Sequence, residues 1–225
     1  MQKNETIDLT KEISQCTRCA SLFACNPVDP RADDARVVPR PIVPALHAKP
    51  VMLIGQAPGL EEYRSGKPFS GDAGQKIREI FDEAGLPKGQ FDRLVYSSAV
   101  IKCFPGSKPP KEGRSREDVV PNAQMIRNCE PWLSRQLEIA EPKVIVTLGG
   151  LPLKRILARM GKPVSGVVLE DFVGKSLLWN GRVIVPFPHT SGASRWHNAP
   201  ANQALFRRAK EKLRRELIEA GVTEP

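Results

Sequence analysis

The fold turns on Val51-Met52-Leu53-Ile54-Gly55-Gln56-Ala57-Pro58-Gly59, an apolar run that ends in a glycine and proline turn. Val51 to Ile54 reads as a strand buried on both faces, because it has no polar alternation. Shortly afterwards Pro68-Phe69-Ser70-Gly71-Asp72 makes a second turn that carries an aromatic ring and a carboxylate. Open α/β sheets build their sites at the carboxyl ends of strands, so both turns fall where a ligand is expected.

Outward from this stretch the pattern alternates. A helix from Ala73 to Ala84 is followed by a strand from Leu94 to Ile101, a helix from Pro121 to Ile139 and a strand from Lys143 to Leu148. A helix from Leu151 to Met160, a strand from Val183 to Pro186 and a closing helix from about Ala201 to Ala220 complete it. Continuous apolar strands separated by helices predict an α/β fold with a parallel, helix-covered sheet. Ala73, Ile77, Ile80, Phe81 and Ala84 share one helical face and Gly85 supplies a stop. Asp72 is then expected at the helix cap, with Gln75 at capping-box spacing.

Upstream, Ile7 to Cys19 reads as a short helix bearing Cys16-Thr17-Arg18-Cys19. Asn26 to Pro50 holds six prolines and no helical period, which predicts an extended surface arm that wraps the body. The 225 residues are expected to form one domain, with residues 1–50 as this helix and arm.

Lys and Arg number 34 against 25 Asp and Glu, a formal net charge of +9, which favours a polyanionic partner. The stripe Arg207, Arg208, Lys210, Lys212, Arg214 and Arg215 on the closing helix reads as a solvated face. No apolar run approaches the roughly 20 residues of a membrane span, and Met1-Gln2-Lys3-Asn4-Glu5 has no signal-peptide pattern, so a soluble cytoplasmic monomer is expected. Five cysteines in such a chain suit thiols or metal ligands better than disulfides. Cys16 and Cys19 form a close pair, whereas Cys103 and Cys129 stand far downstream without the second close pair of a zinc ribbon. By spacing, an iron-sulfur cluster, zinc and unliganded thiols all remain open. Cys25 is the extra one and is expected as a buried free thiol.

Several motifs, taken in order, resemble the iron-sulfur uracil-DNA glycosylases of the family 4 and family 5 group. They are Cys16-x2-Cys19, Gly55-Gln56-Ala57-Pro58-Gly59, Gly66-Lys67-Pro68-Phe69-Ser70-Gly71-Asp72-Ala73-Gly74, Lys102-Cys103, Cys129-Glu130-Pro131-Trp132-Leu133 and His189-Thr190-Ser191. The resemblance runs from Cys16 to about His197. It implies a three-layer α/β/α fold with a four-stranded parallel sheet. It also implies a structural 4Fe-4S cluster on Cys16, Cys19, Cys103 and Cys129, and release of free uracil from uracil-containing DNA.

Such an enzyme flips its base out of the stack, holds it between apolar surfaces and stabilises a sugar cation and a departing base anion. Phe69, in a tight turn, suits the stacking role, and backbone groups of Gly55, Gln56 and Ala57 suit contact with the base. Asp72 looks like the water-directing acid of the family 5 pattern. In the family 4 pattern that acid stands at the position of Gln56, which here is an amide. His189 would donate a hydrogen bond to the uracil 2-oxo group. Ser191 to Trp196 resembles the loop that wedges into the duplex, with Arg195 or Trp196 to fill the gap left by the base.

The family asparagine that reads the base edge is replaced by Ala99, which leaves Ser98 as the nearby hydroxyl. This replacement motivates a broader reading that takes in hypoxanthine or xanthine. Together with Gln56 it also motivates a non-catalytic damage-sensing module. Covalent base-trapping relatives carry a basic segment ending in histidine where this chain has Phe104-Pro105-Gly106-Ser107-Lys108. Lys108, Lys111, Arg114 and Arg116, between Phe104 and Asp118, are expected either to follow a phosphate backbone or to stay solvated.

Overall fold

The computed structural model describes residues 9–32, 35–109, 117–190 and 195–224, with Arg195 and His197 described by backbone alone. Its centre is one sheet in the order β2-β1-β3-β5-β4. The strands β1 (Val51–Gly55), β2 (Val95–Ala99), β3 (Val144–Leu148) and β5 (Arg182–Phe187) run parallel. These are the four strands expected. The short β4 (Leu177–Trp179) adds a fifth, antiparallel to β5 at the sheet edge. Asn180 and Gly181 join it to β5 with φ of 48° and 74°, the left-handed pair of a two-residue hairpin turn.

Alternate strand residues face opposite layers. Met52, Ile54, Tyr96, Ile145 and Ile184 enter one core with Met125, Leu133 and Leu137 of α6 (Ala123–Ala140). Val51, Leu53, Val146 and Val185 enter the other. There they meet Ile77 and Phe81 of α4 (Asp72–Glu83) and Leu213 and Leu217 of α8 (Pro200–Glu219). Shorter helices fill the connections: α2 (Ala20–Phe23), α3 (Leu60–Ser65), α5 (Phe91–Leu94) and α7 (Gly150–Arg159).

The first helix, α1 (residues 9–14), ends before Cys16 rather than running to Cys19. A tight bond from Cys16 N to Ile13 O, at 3.0 Å, closes it. The cysteine pair therefore sits in the turn before α2, off both helices. The proline-rich arm is drawn inward as well. Val37, Ile42 and Leu46 are buried, and the Ile42 and Lys49 amides donate to the Lys102 and Ala140 carbonyls at 2.8 and 3.0 Å. Among the described residues no helix is long and apolar enough to cross a membrane.

Candidate active site

The exit of β1 is built around Gly55, which is buried. A Cβ placed there would lie 3.0 Å from Cζ of the Phe69 ring, so the ring rests directly on the glycine backbone. Phe69 itself has φ of 51°, an uncommon left-handed conformation for a bulky residue. Gly74, on the first turn of α4, permits it, because a Cβ at residue 74 would fall 2.0 Å from the Phe69 carbonyl oxygen. Backbone strain of this kind costs on the order of 1–3 kcal/mol and persists where the surroundings fix it.

Asp72 is exposed and is the first residue of α4. Gly71, with extended φ and ψ, is the N-cap, so Asp72 is not the capping residue that its spacing suggested. The capping role falls to a residue that the sequence reading passed over, Glu62 on α3. One of its oxygens accepts the Gly59 N–H and the other the Gly71 N–H, each at 2.9 Å. The turn after β1 and the turn carrying Phe69 are thereby joined through one carboxylate. Gln56 and Ala57 are partly buried, and the Gly55 and Gln56 carbonyls accept the Val100 and Ile101 amides at 2.9 and 3.2 Å.

His189 follows β5 and reaches the same edge of the sheet. Burial pulls its pKa below the ordinary 6.5, while the Glu62 carboxylate opposes that shift. Its neighbour Thr190 donates to the Ala73 carbonyl at 2.8 Å, which ties the histidine loop to the start of α4 beside Asp72. Two strand-exit segments, bearing Gly55 to Gly59 and His189, and the turn between α3 and α4 that bears Phe69 and leads into Asp72, are thus linked by named bonds.

Ser98 and its neighbours face the other layer. The Ser98 hydroxyl is buried and donates to Gln136 Oε1 at 2.8 Å, and Gln136 Nε2 donates to the Tyr96 hydroxyl at 2.8 Å. Lys102 Nζ donates to Ser98 Oγ at 3.2 Å and to the Ala99 carbonyl. The Ser98 hydroxyl, expected near the base, is thus engaged by Gln136 of α6 and by Lys102. Burial pushes the Lys102 ammonium down to about 8.

Cys16, Cys19, Cys103 and Cys129 line one cavity together with Trp132. Asn128 Nδ2 donates to Cys19 Sγ at 3.4 Å, and the Arg18 guanidinium stacks 4.5 Å from the Trp132 ring centre. Burial raises the pKa of Cys19, Cys103 and Cys129. Among the described residues no group of three or more His, Cys, Asp or Glu is arranged to hold a metal ion. Cys25 is exposed, against expectation, because the chain leaves α2 at the surface and turns back there.

The sequence profile of the Uracil DNA glycosylase superfamily matches residues 41–214. The chain belongs to this superfamily. It is similar to a type-4 uracil-DNA glycosylase of Sulfurisphaera tokodaii, 33% identical over 72% of this chain and 69% of that one. A type-4 uracil-DNA glycosylase of Saccharolobus solfataricus is 32% identical over 72% and 71% of the two chains. A type-5 uracil-DNA glycosylase of Pyrobaculum aerophilum is 29% identical over 68% and 70%. Cys16 and Cys19 precede the span matched by the superfamily profile.

The segment expected to wedge into a duplex is described only in part, since Ser191 to Ser194 lie outside the described residues. Arg195 to Asn198 form a short 3-10 turn. Trp196 is partly buried against the core beneath α8, and its carbonyl accepts Asn202 Nδ2 at 2.9 Å. Insertion into a duplex would require that ring to leave its seat. In the long loop, Lys108 pairs with Glu117 at 2.9 Å, while Lys111, Arg114 and Arg116 lie outside the described residues. On α8, Lys210 pairs with Glu83 and Lys212 with Glu216, and Arg207, Arg208, Arg214 and Arg215 are exposed.

Proposed function

We propose that the chain hydrolyses the N-glycosidic bond of deoxyuridine in DNA, releasing uracil and leaving an abasic site for base excision repair. One observation supports this reading: the turns that carry Phe69, Asp72 and His189 are bonded to one another and to the exit of β1. The names of the type-4 and type-5 relatives support it.

In this reading a uracil flipped out of the duplex stacks on Phe69, against the backbone from Gly55 to Ala57. Asp72, which is exposed, orients a water toward the sugar C1′ and offsets the positive charge that develops there. The bond from that water oxygen to C1′ forms as the bond from C1′ to the base nitrogen breaks; the electron pair leaves with uracil, the water sheds its proton by way of Asp72 to solvent, and the uracil anion takes one up from solvent. His189, kept neutral near pH 7 by burial, donates a hydrogen bond to the 2-oxo group as that charge arrives. Gln56 holds the base edge beside it. Arg195 or Trp196 fills the space that the base leaves in the duplex.

The four cysteines would hold a 4Fe-4S cluster, and their chemistry fits one. Four thiols share a cavity, and burial disfavours the free thiolates of Cys19, Cys103 and Cys129, a cost that bound iron would offset. A cluster that takes one thiolate per iron asks for wider spacing than a single zinc ion does. With a cluster bound, Cys16 and Cys19 would tie the turn before α2 to Cys103 and to Cys129 on α6.

The test is base release from a singly labelled oligonucleotide containing one uracil, with excess protein, followed by alkaline cleavage. Cleavage at the uracil position is expected. Tight uracil-DNA binding without cleavage would overturn the enzyme reading in favour of a sensing module. Asp72→Asn is expected to keep fold and DNA binding and to lose most turnover, and unchanged turnover would move the acid role elsewhere. Ala99 favours a second reading, broader removal of deaminated bases, because a methyl group cannot make the paired contacts of an amide. Competition by inosine-containing DNA distinguishes it.

A further inference from the structure

Glu62 does more than cap its own helix. A capping-box carboxylate normally accepts the N-cap amide of the helix that carries it, and Glu62 does this with the Gly59 N–H. Its second oxygen leaves that helix and accepts the N–H of Gly71, nine residues on, which is the N-cap of α4. The backbone of both helix starts is therefore referenced to one side chain, itself partly buried. A Cβ at Gly71 would meet Glu61 and Glu62 side-chain atoms at 3.4 Å, ordinary van der Waals contact, so α3 packs directly against this turn. Between Gly59 and Gly71 lies the turn with the left-handed Phe69, and immediately after Gly71 comes Asp72.

We propose that Glu62 is a positioning residue for base excision, holding the Phe69 and Asp72 turn in register with the base-contacting loop from Gly55 to Gly59 through its paired bonds to Gly59 and Gly71. This rests on the excision reading above. Two charge-assisted acceptors on one rigid carboxylate fix both distance and orientation, which a neutral amide with a single acceptor oxygen cannot do. Glu62 touches neither the base nor the attacked carbon in this scheme. Its effect passes through Phe69 and Asp72.

The experiment compares wild type with Glu62→Gln and Glu62→Asp in single-turnover uracil release across protein concentrations. Thermal melting and amide hydrogen exchange at Gly71 are followed on the same samples. The expected result is a loss of roughly 10- to 100-fold in the saturating rate for both variants, since small misplacements at a reacting centre have effects of this size. The half-saturating concentration stays near the wild-type value and Gly71 exchange is accelerated. Glu62→Asp keeps the charge but is one methylene short, so it separates geometry from charge. A saturating rate within about threefold of wild type in Glu62→Gln, or unchanged Gly71 exchange, overturns the inference. A rate loss that merely follows a lower melting temperature, with restoration on cooling, also overturns it, because that is the mark of a plain structural cap. Failure of the wild type itself to release uracil would instead bring down the excision reading.

Discussion

Gly74→Ala is the sharpest test of how the Phe69 turn is built. In a helix, replacing glycine by alanine ordinarily helps by about 1 kcal/mol, and residue 74 lies in the first turn of α4. Here the new Cβ would sit 2.0 Å from the Phe69 carbonyl oxygen and 2.3 Å from its carbonyl carbon, and ordinary contact begins near 3.4 Å. The two backbones must part by the difference, 1.4 Å, and neither is a flexible side chain end. Overpacking costs about 1–3 kcal/mol, and more where backbones collide, so the clash outweighs the propensity gain and a net destabilisation of about 1–2 kcal/mol is expected. Activity has no offsetting gain. Phe69 rests on Gly55, and moving its carbonyl by more than an ångström displaces the ring and the neighbouring Asp72. A displacement of that size is expected to slow single-turnover uracil release by about 100-fold. The assay is alkaline cleavage of a labelled uracil oligonucleotide under excess protein, alongside a circular dichroism melt. A rate within about threefold of wild type would refute the reasoning, because the ring would then not need the place the glycine gives it.

Ser98→Ala is expected to cost about 1–3 kcal/mol in a denaturant melt, by leaving Gln136 and Lys102 short of a buried partner, with uracil selectivity unchanged. A selectivity change without a stability loss would place the hydroxyl in the base site after all. His189 is held below its ordinary 6.5, so the unfolded chain takes up its proton first as pH falls. Its contribution to stability is therefore lost from about pH 6.5 downward toward the lowered folded value, and His189→Gln should show a shallower fall in melting temperature between about pH 7 and pH 5. Parallel melting curves would contradict this. Cys103→Ala is expected to abolish broad visible absorbance and bound iron and to lower the melting temperature, whereas a colourless wild type with stoichiometric zinc would remove the cluster.

The sheet was readable because β1, β3 and the Val183 to Val185 stretch of β5 are dominated by β-branched and aliphatic residues, and because Gly85 ends a helix whose apolar face repeats cleanly. β4 escaped although Asn180-Gly181 is a strong hairpin signal, since a strand of three residues carries too little alternation to register. The cysteine pair was placed one turn too early in structure because helical spacing continues past Ser14, while the chain tightens at Cys16. Among site residues, Phe69, Asp72 and His189 stood out by their turns and motif order. Glu62 did not, because one bond looks like routine capping and the second depends on a chain reversal that only the folded turn supplies. Gly71 displaced Asp72 as the cap for a related reason: an extended glycine can begin a helix without a side-chain acceptor, and the glutamate satisfies its amide.

The shortness of β4 bears on how this molecule behaves in company. Its register covers Arg182, Val183 and Ile184, and among the described residues no strand flanks Val185, Pro186 and Phe187 on that side. Those three residues are nonetheless buried, so the body of the fold already covers them and offers no rung to another polypeptide. Pro186 has no N–H to leave unpaired there. The hairpin therefore shields the part of β5 that the rest of the fold leaves accessible, Arg182 and Val183, against self-association.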